Sequence, residues 1–295
     1  VSGRTEDGIL DMLSNSYDRP NADCNETKPS TETPKKKRKD RPDKFIVEVC
    51  MVTTIEFTCS FNTTSDLIEY LAIFLNAAAL PFHDMTRPKI RLQLNEVVTN
   101  VTDQVINKTE DGVDIHKALY SMKALSEKGA FNRCDVAFLL SSEDMYRVIN
   151  QTIPPIIEKR TMGVAYLAGV CKEYKVSVVE DKPHTYEGVL TCAHELAHLT
   201  LPRSCVEVSA APLYTTAAYP GQNMTRREFC QLMHKGNFTA KPFQKHSKRH
   251  KNCQIKCCWK EDDLVWCQEH NMPEGLKCAP GKTCRRGVCA RHSWE

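Results

Sequence analysis

The sequence predicts an α/β domain on a mainly parallel sheet, followed by a small disulfide-rich domain. Three observations carry that prediction. From Phe45 onward, apolar β-branched runs alternate with segments of helical periodicity, the pattern of strand and helix layers. The chain has 295 residues, 41% of them apolar, enough for one medium core and a small one. Seven of its fifteen cysteines fall between Cys253 and Cys289, in a segment too short to build a core without disulfides. The expected organisation is a leader over 1–44, a main domain over 45–252 and a cysteine-rich domain over 253–295.

The leader is polar, holds Pro20, Pro29 and Pro34, and ends in the run KKKRKDR at 35–41. Two readings of that run stand, a processing site or a solvated linker. Cleavage there removes Cys24 and leaves fourteen cysteines, an even number able to pair throughout. FIVEVCMVTTI then predicts a strand. SDLIEYLAIFLNAAALPF places Leu67, Ile68, Leu71, Phe74, Leu75 and Ala78 at helical spacing, with Ser65 as the cap. KIRLQLNEVV alternates as a strand does. DIHKALYSMKALSEKG is an amphipathic helix between Asp114 and Gly129. CDVAFLLSS predicts a short buried strand, TMGVAYLAGVC an extended segment, KVSVVED another strand and PHTYEGVLTCAHELAHLT a helix. Beyond Pro202 the chain reads as irregular, with a second basic cluster, FQKHSKRHK, at 243–251.

Bulk properties exclude some functions. A formal charge of +3 gives no basis for nucleic-acid binding. The sequence predicts no membrane span, since apolar runs of about 18 residues are absent. Cysteine density and seven N-x-S/T sequons, at Asn25, Asn62, Asn100, Asn107, Asn150, Asn223 and Asn237, point to a secreted, disulfide-bonded glycoprotein. No apolar signal segment follows Val1, so one has been removed or lies outside this sequence.

The chemistry concentrates in TCAHELAHLTLPRS, from Thr191 to Ser204, which contains H-E-x-x-H. On a helix, positions i and i+4 share a face, so His194 and His198 can aim ring nitrogens at one metal. Zinc suits imidazole, at about 2.0–2.1 Å per nitrogen. Glu195, beside the first ligand, is the candidate general base that takes a proton from attacking water and passes it to the leaving amine. An ordinary amphipathic helix with two histidines is the bland alternative.

CDVAFLLSSEDM followed by GVAYLAGVCKEYKVSVVEDKPHTYEGVLTCAHELAH, with the tail CQIKCCWKEDDLVWCQEHNMPEGLKCAPGKTCRRGVC, resembles the reprolysin (adamalysin-like, M12B) metzincins, especially the secreted salivary metalloproteases of ticks. The likeness runs from Phe45 to Cys289. It implies a zinc endopeptidase acting on extracellular proteins of host blood or matrix, with a twisted sheet of about five strands, one an antiparallel edge. It implies that Thr161 to Ala168 form this edge, where an extended substrate adds as a strand along Gly163, Val164, Ala165 and Tyr166. It further implies His194 and His198 as zinc ligands, Glu195 as base, an inhibitory leader, and Met233 in CQLMHKG as the Met-turn beneath the metal. Cys24, in NADCNET, does not match the family's latency motif.

One departure stands out. Leu201 replaces the family's glycine and Ser204 its third histidine, while Pro202 pushes Leu201 toward extended geometry. Cys205 and Glu207 are the candidate substitutes, with a disulfide as the competing role for Cys205. His234, His246 and His250 read as solvent-exposed polar residues. A structural zinc site is worth about 10–16 kcal/mol, so one ligand in four carries roughly 3–4 kcal/mol, or two to three decades in affinity. Two functions follow: a zinc endopeptidase, or a non-catalytic binding protein whose basic cysteine-rich tail engages host receptors or sulfated glycans.

Overall fold

The computed structural model describes residues 44–86, 88–150, 155–159, 161–199, 211–234, 236–243 and 252–294, apart from the side chains of 100, 103 and 104. The leader up to residue 43, with Cys24 and Asn25, and both basic runs (save Phe243) lie outside the described residues. So do Leu201, Ser204, Cys205, Glu207, His246 and His250.

In chain order the first elements are β1 (Lys44–Thr54), α1 (Ile55–Cys59), α2 (Thr64–Ala79), β2 (Lys89–Val101) and α3 (Asp103–Ile106). There follow β3 (Lys108–Thr109), β4 (Gly112–Asp114), α4 (Ile115–Glu127), β5 (Val136–Ser141), β6 (Met145–Asn150) and β7 (Ile156–Glu158). Then come β8 (Gly163–Ala165), β9 (Val176–Glu180), α5 (Val189–His198), α6 (Arg226–Met233) and β10 (Lys241–Pro242). The C-terminal strands are β11 (Gln254–Glu261), β12 (Leu264–Asn271), β13 (Lys277–Ala279), β14 (Lys282–Arg285) and β15 (Val288–Ala290).

The main sheet runs β2-β1-β5-β9-β8. Its first four strands are parallel, and β8 closes the edge antiparallel to β9. The predicted mainly parallel sheet of about five strands with helices is therefore the observed one. Strands inside such a sheet are covered on both faces, so β1 and β5 are almost continuously apolar. Successive side chains still go to opposite faces. Val47, Val49, Met51, Val136, Phe138 and Leu140 meet Leu67, Leu71 and Phe74 of α2 and Cys192, Ala193 and Leu196 of α5. Val52, Ala137, Leu139 and Val178 meet Ile115, Ala118 and Met122 of α4 on the other side.

Helix α2 is capped by Thr63, whose hydroxyl accepts from the backbone N–H of Asp66 at 3.1 Å, and not by Ser65. Together with its 3-10 extension to Phe82, it is long and apolar enough by length and composition to cross a membrane, contrary to the expectation that no segment would qualify. Here that apolar surface covers the sheet, with Leu67, Leu71, Phe74 and Leu75 buried. Asp114 caps α4 through bonds from the N–H groups of His116 and Lys117, and Gly129 past its end takes φ +84°, as the sequence predicts.

The C-terminal region is built differently. Small antiparallel sheets, β10-β11-β12 and β13-β14-β15, surround a core of Phe229, Ile255, Met272 and Leu276 with Cys230, Cys253, Cys257, Cys278 and Cys284. That core draws on α6 as well as on residues past 252, so its packing begins before the boundary read from cysteine density. Helix α6 itself went unpredicted, although Thr225 and Glu228 form a capping box there. Disulfides Cys230–Cys257, Cys253–Cys284, Cys258–Cys267 and Cys278–Cys289 fasten this region, and Cys50–Cys134 ties the body. Complete pairing after loss of Cys24 is not found: Cys59 is free and exposed, and Cys192 is free and buried. Cys192 faces the core from α5, where packing rather than oxidation uses it.

Candidate active site

Helix α5 starts later than its periodicity predicts. PHTYEG is a turn and not the first helical turn, because His184 and Tyr186 take positive φ of 70° and 60°. Buried contacts hold it. Asp181, 1% exposed, accepts from the N–H of Gly188 at 2.9 Å and from the Tyr70 hydroxyl at 2.7 Å. The Tyr70 hydroxyl in turn accepts from the N–H of Tyr186 at 3.1 Å, and the two tyrosine rings stack at 4.2 Å. Gly188 is the N-cap of α5, so Asp181 serves an N–H group that the helix leaves without an internal partner. Burial pushes the Asp181 carboxyl up to about 7 despite these bonds.

The other end of α5 is held by the segment after β8. The N–H of Ala168 donates to the His198 carbonyl at 3.0 Å, and that of Val170 to the Leu199 carbonyl at 3.2 Å. Both ends of the helix are thus fixed by neighbours of the sheet, which leaves its histidine face at a defined place.

On that face, His194 Nε2 and His198 Nε2 lie 2.9 Å apart, with ring planes at 85°. The two nitrogens face each other at the distance of a ring-to-ring hydrogen bond. Partial burial, then the proximity of His198, hold His194 below the usual imidazole range, so its lone pair is available at neutral pH. Among the described residues no third histidine, cysteine, aspartate or glutamate joins this pair as a ligand group. The segment holding Cys205 and Glu207 lies outside them.

Glu195 is 5% exposed, and burial pushes its carboxyl up to about 7. It faces the edge strand. A Cβ on Gly163 would meet Thr191 Cγ2 at 2.4 Å and Glu195 Cγ and Oε1 at 3.1 Å. Glycine is thus the residue that lets β8 pass this close to the Thr191 and Glu195 face of α5. The sequence reading singled out Gly163 as part of the substrate edge, not as a contact of the glutamate.

The expected edge, Thr161 to Ala168, forms a strand only over Gly163–Ala165, with Tyr166 just beyond it. Ser177 Oγ donates to the Val164 carbonyl at 3.0 Å and helps pin it. The outer side of β8 pairs with no described strand. Met233 ends α6 and packs, partly buried, against the C-terminal core. Of the sequons, Asn62, Asn150 and Asn223 are exposed. Asn107 and Asn237 are half-buried, and their amide nitrogens donate to Ser121 Oγ at 3.1 Å and to the Lys260 carbonyl at 3.5 Å.

Comparison with known proteins finds a likeness over part of the chain. Residues 68–200 match a Metallo-peptidase family M12B reprolysin-like domain. That family is zinc-dependent and acts on proteins. Over 147 residues, 45% of this chain, the sequence is 26% identical to Venom metalloproteinase 2 of Eulophus pennicornis. The match spans 33% of that relative, about a third of its length. Among solved structures, metalloproteinase-II from Bacteroides fragilis aligns with 55% of this chain and 44% of its own at 12% identity, TM-score 0.34. A chaperone-substrate complex aligns with 53% of this chain and 24% of its own at 10% identity, TM-score 0.37. Likeness that slight carries no functional weight. The reprolysin-like match includes α5 with both histidines and Glu195, and it ends at 200.

Proposed function

We propose that this chain is a secreted zinc-dependent endopeptidase of extracellular proteins. The observation that carries the reading is the convergence of His194 and His198 Nε2, 2.9 Å apart, beside a buried Glu195 that lies against edge-strand Gly163. His194 and His198 hold the metal. When bound, zinc supplies Lewis-acid polarisation of a peptide carbonyl and acidifies water. Glu195 accepts the proton of the attacking water and delivers it to the departing amine. An extended substrate lies along the open side of β8, with main-chain groups of Gly163, Val164 and Ala165 fixing its register. Proteins of a host's blood or matrix, as for salivary enzymes of ticks, are the substrate class.

Elemental analysis and cleavage together test this. The chain purified without added metal carries about one zinc more than His194→Ala. Glu195→Gln keeps that zinc and loses casein cleavage.

A second reading rests on the absence of a third ligand side chain among the described residues. On it, the chain is a pseudoprotease whose basic, disulfide-rich tail binds host receptors or sulfated glycans. Equal zinc in the chain and in His194→Ala, with saturable heparin binding, would select this reading instead.

A further inference from the structure

A second pair of imidazoles faces itself in the C-terminal region. His234 Nε2 and His270 Nε2 are 3.1 Å apart although 36 residues separate them in sequence. Their rings sit 5.0 Å apart at 70°, against 4.6 Å and 85° for His194 and His198. We propose that His234 and His270 form a second metal site, for a divalent transition-metal cation of the Zn2+ or Cu2+ class, which ties the end of α6 to β12.

The surroundings build this pair rather than leaving it to chance. The His234 ring stacks on Trp259 at 3.7 Å and 25°, and the His270 ring meets Phe229 edge-on at 6.2 Å. Both imidazoles are half-buried, not solvent-exposed as His234 reads in the sequence. Burial holds both below the usual imidazole range, with His270 pushed down to about 4. Each is therefore neutral at physiological pH, the form that ligates. Lys182 is the cation felt at both rings, and it is paired with Glu187 at 3.4 Å. Cys257 Sγ lies within 4.8 Å of both ring nitrogens, but its disulfide with Cys230 removes it as a thiolate ligand. The site thus offers two nitrogens and leaves its remaining positions to water. Imidazole donors select borderline transition metals, with Cu2+ above Zn2+, over the oxygen-seeking Ca2+ and Mg2+.

The test uses the full chain carrying His194→Ala and His198→Ala, so that the first pair contributes nothing. Equilibrium dialysis against Zn2+ is expected to leave about one zinc per chain, lost on adding either His270→Ala or His234→Gln. Cu2+ titration is expected to quench tryptophan emission, because Trp259 stacks on a ligand. His270→Ala abolishes the quenching, Trp259→Phe diminishes it while zinc binding persists, and Ca2+ produces none. His234→Gln, beyond the helix end, carries the same test should His270→Ala fail to be secreted. No zinc in the double-alanine chain, or zinc unchanged by both further substitutions, would overturn the site and leave a plain hydrogen bond between two rings. Neither result bears on the pair in α5, which the metal content of the unsubstituted chain reports.

Discussion

The α/β body and the C-terminal region each carry one pair of facing imidazoles, and they hold those pairs by different means. In the body, Phe74 and Phe138 are fully buried between sheet and helices, and His194 and His198 sit on one helix whose geometry spaces them. In the C-terminal region, β12 is exposed at nearly every position, including Leu264, Val265 and Trp266. Four disulfides do there what apolar area does in the body, as expected of a unit too small for a large core. The lesson is that one pair depends on a helix and the other on cross-links. The expectation is that the first pair persists when the tail is altered, while the second is lost on reduction.

The largest effect expected is on the body's core. Phe138→Ala removes a fully buried ring and costs about 3–5 kcal/mol in equilibrium denaturation. Replacing Cys253 and Cys284 together by serine costs about 2–5 kcal/mol. Hydrogen exchange should then accelerate in β11 to β15 and not in β1 or β5. Loss of protection in both regions at once would break the comparison, for it would mean a single cooperative unit.

Gly163→Ala tests how the body's site is positioned. The added methyl collides with Thr191 and presses on Glu195, an overpacking cost of about 1–3 kcal/mol. Peptide cleavage is expected to fall about tenfold while zinc content holds. Thr191→Ser, which deletes the nearest atom, should restore part of it. A substitution with no effect on cleavage would remove β8 from the proposed substrate path.

Asp181 gives the most specific effect, one visible only in pH dependence. Its folded-state value of about 7 lies above the usual carboxylate value of about 3.9. Between those values the folded state binds more protons than the unfolded state, so the group's contribution falls as pH rises from about 4 to 7. The slope is at most about 1.4 kcal/mol per pH unit. Asp181→Asn should flatten it in denaturation curves recorded across that window. An unchanged slope would mean that the Tyr70 and Gly188 bonds do not bury a titrating carboxyl.

Local patterns made much of this molecule legible before its fold was known. Apolar β-branched runs marked β1, β5 and β9, alternation marked β2, helical spacing marked α2 and α4, and H-E-x-x-H put two imidazoles and a carboxylate on one helix. These are properties of neighbouring residues, set by the 2.0 and 3.6 residue periods of the backbone. The rest came from contacts between distant ones. The late start of α5 depends on Tyr70 and Asp181, 111 residues apart. Four-residue spacing foretold the pair in α5, but nothing in the chain's pattern foretold that His234 would meet His270. Only the packing of α6 against a cross-linked hairpin brings those two rings within 3.1 Å, because a contact across 36 residues is set by the tertiary path of the chain and not by any local period.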